Sequence, residues 1–400
     1  MDATFRIPRA RILPHALLGL CLLVAPQAAA AQSPAAPPAA ADPAPAAPPP
    51  APEATPRADR ADAADALSIG KGGYLKLGLL LQGWFAAERQ GDAWSSGFRL
   101  RRAEIQAKGD LVPGWLRYGL MVDPAKILRG EDRTIEVKDD AGSVIGTAKV
   151  RQAPAAYTIL QDFWIGLTTR YADVSIGQFK TPISWEGFNS SGALLFTERA
   201  LVSRTLGDRR DLGVKVEKRF RYASYFVGLF NGQGANNLDL DNAKDVAARV
   251  EVTPLPWLMI GGMAYATLRD RWSEPGVRDV FEADLRIDFR PILFQAEYLR
   301  SRLWDDKRAA IVTSQGFYAA FAGYPLDVLR LAIRVGLFDE DVDDVDPART
   351  AVWEGSAGIH WLPLGDAANV KLDYHVFVPT RDTAKRGNEH QVVLAGQVRF

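Results

Sequence analysis

Phe281-Glu282-Ala283-Asp284-Leu285-Arg286-Ile287-Asp288-Phe289 carries an apolar residue at every odd position and a charged one at every even position. Successive side chains on a strand point to opposite faces, so this segment has one oily face and one charged face. The pattern recurs in Leu329–Leu337, in Val370–Val376 and in Leu75–Gln82, where the odd positions are all leucine. A soluble sandwich also alternates. Three features favour a membrane barrel instead. The segments are about ten residues long, the length a tilted strand needs to cross the apolar layer of a bilayer. Their connections alternate short and long. The last of them, Val392–Phe400, ends on an aromatic residue.

Working outward, sixteen strands are expected, near 72–87, 98–109, 115–123, 157–168, 172–180, 209–218, 221–230, 245–253, 257–268, 279–289, 291–301, 312–323, 327–338, 350–361, 368–378 and 390–400. Seven short connections, such as Thr169–Tyr171 and Pro254–Pro256, are candidate periplasmic turns, and the eight longer ones would face outside. An even strand number returns both termini to the periplasm. Tyr171, Phe220, Tyr222, Trp257, Phe289, Tyr324, Trp361 and Phe400 lie beside the short turns. They suit an interfacial girdle, where an amphipathic ring sits at headgroup level.

Composition bounds the function. Among 400 residues, Lys plus Arg is 48 and Asp plus Glu is 48. A dedicated nucleic-acid binder needs a basic surplus to displace counterions, so no nucleic-acid partner is expected. Mean hydropathy of −0.10 excludes a bundle of membrane helices but not a barrel, whose strands are half apolar.

The leader reads as a signal peptide over residues 1–31. Arg6, Arg9 and Arg11 precede the short apolar run Ala16–Val24, and Ala29-Ala30-Ala31 offers a small-residue cleavage site. Leu20 before Cys21 speaks against lipidation. Cys21 is the one cysteine, so the mature chain would use neither disulfides nor thiolate metal sites. Residues 32–66 form an Ala/Pro-rich linker, expected to be a disordered, extended periplasmic spacer because proline fixes φ and removes amide donors. Residues 67–400 are then the barrel domain.

Four motifs carry a resemblance. Gly177-Gln178-Phe179-Lys180-Thr181-Pro182-Ile183-Ser184 closes a strand; Phe196-Thr197-Glu198-Arg199-Ala200-Leu201 follows; Arg210-Asp211-Leu212-Gly213-Val214 opens the next strand; Phe230-Asn231-Gly232 ends another. In this order they resemble the phosphate-selective porin O and P family, as does the earlier strand Gly97–Gly109. The resemblance implies a 16-stranded antiparallel transmembrane β-barrel with a pore-constricting third extracellular loop. It implies a homotrimer in the bacterial outer membrane, in contact with lipid and lipopolysaccharide, passing small hydrophilic solutes with a preference for anions such as phosphate or polyphosphate. Phe400 resembles the terminal aromatic read by the barrel assembly machinery. Many family members carry a coiled coil before the barrel, and here the Ala/Pro linker replaces it.

The loop Thr181–Asp208 would fold inward. Lys180, Arg199, Arg204, Arg209 and Arg210 are candidates for the constriction and anion path, since cations at a narrow, low-dielectric point attract anions. The resemblance implies that Arg99 and Arg101 are candidates for a basic ladder toward it. With Phe98 and Leu100 facing lipid, both would point into the lumen. Ile105 has the opposite parity, so a bulge or a change of register intervenes. Glu186, Glu198, Asp208 and Asp211 are candidate anchors of the loop through ion pairs. The remaining lumen charges are mixed, including Arg249, Arg330, Arg334 and Lys371 with Glu282, Glu297, Glu354 and Asp373, which suits a diffusion pore better than a single-sign funnel.

No cofactor or metal is expected: the acidic tracts around Asp339–Asp346 and Asp239–Asp245 read as solvated loops. Zincin, nucleophile-elbow and Walker sequences are absent, and the adjacent lumen candidates His360 and His375 lack a convincing serine, so no enzyme is expected. A plugged 22-stranded transporter needs a longer chain. The alternative from another class is a non-conducting barrel that ties the outer membrane to the cell wall through the linker.

Overall fold

The computed structural model describes residues 66–70, 72–128, 131–138, 144–152, 156–239, 243–268, 277–344, 351–380 and 387–400. The expected signal segment, and the linker up to residue 65, lie outside the described residues. No described helix is long and apolar enough to cross a membrane, which leaves the crossing to strands.

The strands in chain order are β1 (Leu67–Ile69), β2 (Gly73–Gln90), β3 (Ala93–Val112), β4 (Leu116–Val122), β5 (Glu131–Lys138), β6 (Val144–Gln152), β7 (Leu160–Thr168), β8 (Asp173–Lys180), β9 (Arg210–Arg219) and β10 (Ala223–Phe230). They continue with β11 (Asp245–Leu255), β12 (Leu258–Thr267), β13 (Arg278–Phe289), β14 (Ile292–Asp305), β15 (Ala310–Leu326), β16 (Leu329–Asp339), β17 (Val352–Trp361), β18 (Ala368–Pro379) and β19 (Glu389–Arg399). β2–β4 and β7–β19 make a 16-stranded antiparallel barrel. It closes where β19 pairs with β2, from Glu389 opposite Gln90 to Arg399 opposite Leu80. Closure leaves no free edge, as a sheet in hydrocarbon requires.

Parity follows the sequence pattern. On β13, Phe281 faces outward while Glu282 and Asp284 are buried inside. On β2, Leu77, Leu81 and Phe85 face outward and Gln82 and Trp84 inward. Of the expected girdle, Tyr171, Phe220, Tyr222, Trp257, Phe289, Trp361 and Phe400 are exposed beside the short turns. Phe400 extends the ladder, its backbone exchanging hydrogen bonds with Leu79 at 2.8 and 3.0 Å.

The structure departs from the sequence reading in three places. The connection expected over 88–97 is the two-residue turn Gly91-Asp92, because β2 and β3 stay paired up to Gln90 opposite Ala93. Gly91 has φ 60°, the left-handed region that such a tight hairpin asks of its turn residues. Likewise β14 and β15 run on to Asp305 and Ala310. The long connection after β4 holds a separate hairpin, β5 with β6.

The break in parity before Ile105 is a bulge at Arg101. Gln82 lies opposite Arg102 and Gly83 opposite Leu100, so Arg101 is the extra residue. Phe98 and Ile105 can both face outward only because of it, and two consecutive arginines, 101 and 102, turn toward the interior.

Candidate functional site

The segment between β8 and β9 is the third of the long-side connections and folds into the barrel. It turns sharply at Ser184, whose φ is 62°. The Ser184 hydroxyl accepts from the Gly187 N–H at 3.0 Å and donates to Glu297 at 2.6 Å, capping the helical turn Trp185–Phe188. The Glu186 N–H donates to the other Glu297 oxygen at 2.8 Å. A second short helix, Leu201–Leu206, buries Val202 and Leu206 in the same apolar cluster as Leu299 and Tyr318 of the wall.

Between these turns the backbone is irregular, and the wall supplies its partners. The Thr197 N–H donates to Asp373 at 2.7 Å and the Leu201 N–H to Glu354 at 2.7 Å. Lys371 donates to the Leu194 carbonyl at 2.6 Å, Arg330 to Leu195 at 2.9 Å and Arg334 to Glu198 at 3.0 Å. Non-helical backbone at membrane depth survives only where protein or water satisfies it. Here charged wall residues of β16–β18 do so, and the loop is pinned to one side of the lumen. Phe196 is its plug: fully buried, with the Arg334 guanidinium 4.7 Å from its ring and the His360 and His375 rings edge-on at 5.9 and 6.1 Å.

The expected site residues fall into distinct environments. Arg199 is buried within the loop, donating to the Glu186 carbonyl at 2.9 Å and to Asp208 at 2.9 Å. Lys180 donates to the Gly187 and Asn189 carbonyls at 2.8 Å each and lies 3.2 Å from Asp208. Arg101 pairs with Glu198 at 2.6 Å, Arg210 with Asp162 at 2.7 Å, and Arg99 with Glu88 at 2.5 Å. Arg204 is exposed with its guanidinium 5.7 Å above the Phe377 ring. Neither Arg204 nor Arg209 makes a salt bridge to a described residue. Asp211 accepts from the Gly232 N–H at 2.8 Å and from its neighbour Leu212 at 2.7 Å. It therefore ties the following connection to the barrel through backbone rather than through a cation.

Within the loop the charges depend on one another. Burial pushes the Glu186 carboxyl up to about 7, against the pull of Arg334 3.8 Å away. Burial would also raise Asp208, but Lys180 and Arg199 outweigh it and hold that carboxyl down at about 2. Glu198 is likewise held below the usual carboxylate range, burial being outweighed by Arg101 and Arg102.

The histidines acquire a partner that sequence did not reveal. The Ser356 hydroxyl lies 2.8 Å from His375 Nδ1, and His360 Nε2 lies 2.7 Å from Asp373. Arg330 Nε donates to His360 Nδ1 at 2.9 Å, so Nδ1 is an acceptor and the proton sits on Nε2. Thr197 and Phe196 of the loop cover the group. Sealed in this way, it serves as a dock for the loop.

Opposite the dock, three cavities follow one another. The first is lined by Arg209, Arg210, Tyr265 and Arg278, where β9 and β13 begin on the long-loop side. The second, at mid-height, shares Arg210 with the first and adds Lys108, Trp164, Lys180 and Phe188. The third shares Phe188 with the second and reaches Glu217, Lys218 and Ser224 near the short turns. Trp164 can lie flat on the wall because residue 119 is glycine; a Cβ there would come within 2.5 Å of the indole.

A barrel interior narrowed by an inward loop, with cavities in series, is the architecture of a diffusion channel. A sequence profile described as phosphate-selective porin O and P matches residues 83–292. The chain belongs to that family. Solved structures agree on the fold. The outer membrane channel DcaP of Acinetobacter baumannii superposes with a TM-score of 0.59 at 10% identity, over 84% of this chain and 99% of that one. An anion-selective porin from Comamonas acidovorans gives 0.52 at 12%, over 82% and 100%. OmpT of Vibrio cholerae in a trimer form gives 0.52 at 10%, over 82% and 99%. No curated protein sequence matches the chain. The porin is thus a bacterial outer-membrane channel protein.

What sequence reasoning missed in the porin is the dock. Glu297, Arg330, Arg334, Glu354, Lys371 and Asp373 were legible as lumen residues by parity, but not as partners of loop backbone. Phe179, Phe226 and Phe230 also point inward and pack together. Apolar residues at both parities of Ala223–Phe230 were the available signal.

Proposed function

We propose that the porin lets small hydrophilic solutes diffuse passively across the outer membrane, with a modest preference for anions that includes phosphate. One observation carries this reading. The acidic groups of the inward loop, Glu186, Glu198 and Asp208, are absorbed by the dock and by Lys180, Arg101 and Arg199, while Arg209 stands at the mouth of the open path without a salt bridge to a described residue, next to Arg278, which pairs with Asp245 at 3.7 Å. Field lines in a narrow low-dielectric passage concentrate on an unneutralised cation such as Arg209. The family assignment and the shared fold of an anion-selective porin support the same sign. The mixed charges further down, Glu217 with Lys215 and Glu251 with Arg249, support a general rather than a single-solute pore.

The working unit on this reading is a homotrimer exported through the signal segment 1–31, with residues 32–66 as periplasmic spacer and Phe400 read during assembly. The test is planar-bilayer recording in a KCl gradient. Conductance in steps of three with a reversal potential biased toward chloride is expected. A folded, heat-modifiable barrel that never conducts would sink the channel reading and leave the anchoring barrel.

A further inference from the structure

The middle cavity is lined in a way that a path for hydrated inorganic ions does not need. One side is aromatic. The Trp164 indole lies against Gly119, and its N–H makes no hydrogen bond to a described residue. Phe188, on the inward loop, is half-buried and stands edge-on to Phe226 at 5.7 Å. Cations lie in the same cavity. Lys108 is exposed and makes no ion pair with a described residue. Arg210 spends its Nε on Asp162 at 2.7 Å, and its two terminal nitrogens make no hydrogen bond to a described residue. Lys180 has all three donors committed but adds its charge. The acidic groups of the cavity have cations of their own: Asp162 has Arg210, and Glu104 has Arg102 at 3.7 Å.

We propose that this cavity is a binding subsite for small flat organic anions, namely aromatic monocarboxylates of the benzoate class. The inference rests on the porin reading above and names a solute class that the pore favours. An aromatic ring gains from offset or edge contact with Trp164 and Phe188, a contact closed to phosphate or chloride. The carboxylate is then within reach of the Arg210 fork, whose geometry suits two oxygens, and of the Lys108 ammonium. The indole N–H is a further donor at the ring's edge. A volume of about 270 Å3 lies below the ~300–1,000 Å3 range of sites for drug-sized ligands, which limits the occupant to one small ring. The cavity lies between the other two, sharing Arg210 with one and Phe188 with the other, so an occupant would obstruct the route.

The experiment compares sodium benzoate with sodium acetate as blockers of chloride current through the mature protein in a planar bilayer. Both carry one carboxylate, so charge is held constant and the ring is the variable. Half-block by benzoate is expected at about fivefold lower concentration than by acetate, the size of one aromatic contact. Phe188→Ala should lower the ratio, and Phe188→Ala combined with Trp164→Leu should bring it close to one. Lys108→Gln should weaken block by both acids alike and leave the ratio standing. Should Phe188→Ala fail to fold, Phe188→Leu keeps apolar volume without a ring and gives the same comparison. Equal block by the two acids in the wild-type channel overturns the subsite while chloride current upholds the porin. Absence of any current from folded protein overturns the porin reading, and the subsite with it.

Discussion

Arg101 grips one carboxylate oxygen of Glu198 with two nitrogens, Nε at 2.7 Å and Nη2 at 2.6 Å. The pair joins a bulge in β3 to the inward loop, 97 residues away in sequence. The Arg101 guanidinium also lies 5.2 Å from the centroid of the Trp84 ring, so it is fixed from both sides. Removing either partner leaves the other charge partly buried and uncompensated. Breaking a fully buried pair costs ~3–5 kcal/mol. This one retains some solvent, so Arg101→Leu or Glu198→Gln should each weaken docking by about 2 kcal/mol. A double-mutant cycle on thermal unfolding in detergent should return a coupling of ~1–2 kcal/mol. Additive single effects would show that the pair does not hold the loop.

Arg199 and Arg204 are five residues apart and should behave oppositely. Arg199 is interior to the loop, bonded to Glu186, Asp208, Asn189 and Ser191. Arg199→Ala strips four contacts at once and should unpin the loop. Conductance should rise, current noise should increase, and the unfolding midpoint should fall by an amount corresponding to ~3 kcal/mol or more. Arg204 is exposed over Phe377. Arg204→Ala should shift the reversal potential toward cations with stability within ~0.5 kcal/mol of wild type. Equal effects of the two on stability would contradict the assignment.

Docking of the loop should depend on pH through two carboxyls of opposite sense. Glu186 sits at about 7 when docked, above its ordinary 4.5, so the docked state holds that proton more tightly. Its contribution is fullest below pH 4.5 and fades as pH rises to 7, by ~3 kcal/mol in all. Asp208 sits at about 2, below its ordinary 3.8, so its contribution is present above pH 3.8 and lost as pH falls toward 2. Protection of the loop from trypsin should therefore peak near pH 4–5, measured across the range where trypsin cuts and extended with pepsin below it. Glu186→Gln should flatten the alkaline limb, and Asp208→Asn the acid limb. A wild-type profile flat from pH 4 to 8 would refute the Glu186 half.

The barrel was legible because its two solvents differ. Lipid outside and polar lumen inside write period two into each strand, and the length of the strands and the short turns fix their number. A break in alternation between Leu100 and Ile105 was legible, but that it is a bulge, and that it falls at Arg101, came from the strand register. The inward loop was recognisable by motif, but its internal bookkeeping was not. Sequence offered Glu198 and Asp211 as ion-pair partners for Arg199 and Arg210 and none for Lys180, and only the fold brings Asp208 and Asp162 to these three cations. The same holds for Lys371 and Arg330, whose partners are backbone carbonyls of the loop. A carbonyl carries no residue identity, so no pattern of side chains announces it. The turn at Gly91-Asp92 was hidden for a related reason: above the membrane both faces of β2 and β3 meet water, and alternation ends before pairing does.

Gly119 offers the sharpest single-atom test of the path. It faces Trp164 across the β4–β7 ladder, and a Cβ would stand 2.5–2.7 Å from three indole atoms. The backbone of two paired strands cannot retreat, so in Gly119→Ala the indole must swing away from the wall. The wall gives it nowhere to go but the middle cavity. Overpacking of this kind costs ~1–3 kcal/mol. Chloride conductance should drop, and the unfolding midpoint should drop with it. Gly119→Ala combined with Trp164→Leu should restore conductance, because a smaller side chain fits beside the new methyl. If Gly119→Ala alone conducts like wild type, the route does not pass Trp164, and the order of cavities along the wall would have to be redrawn.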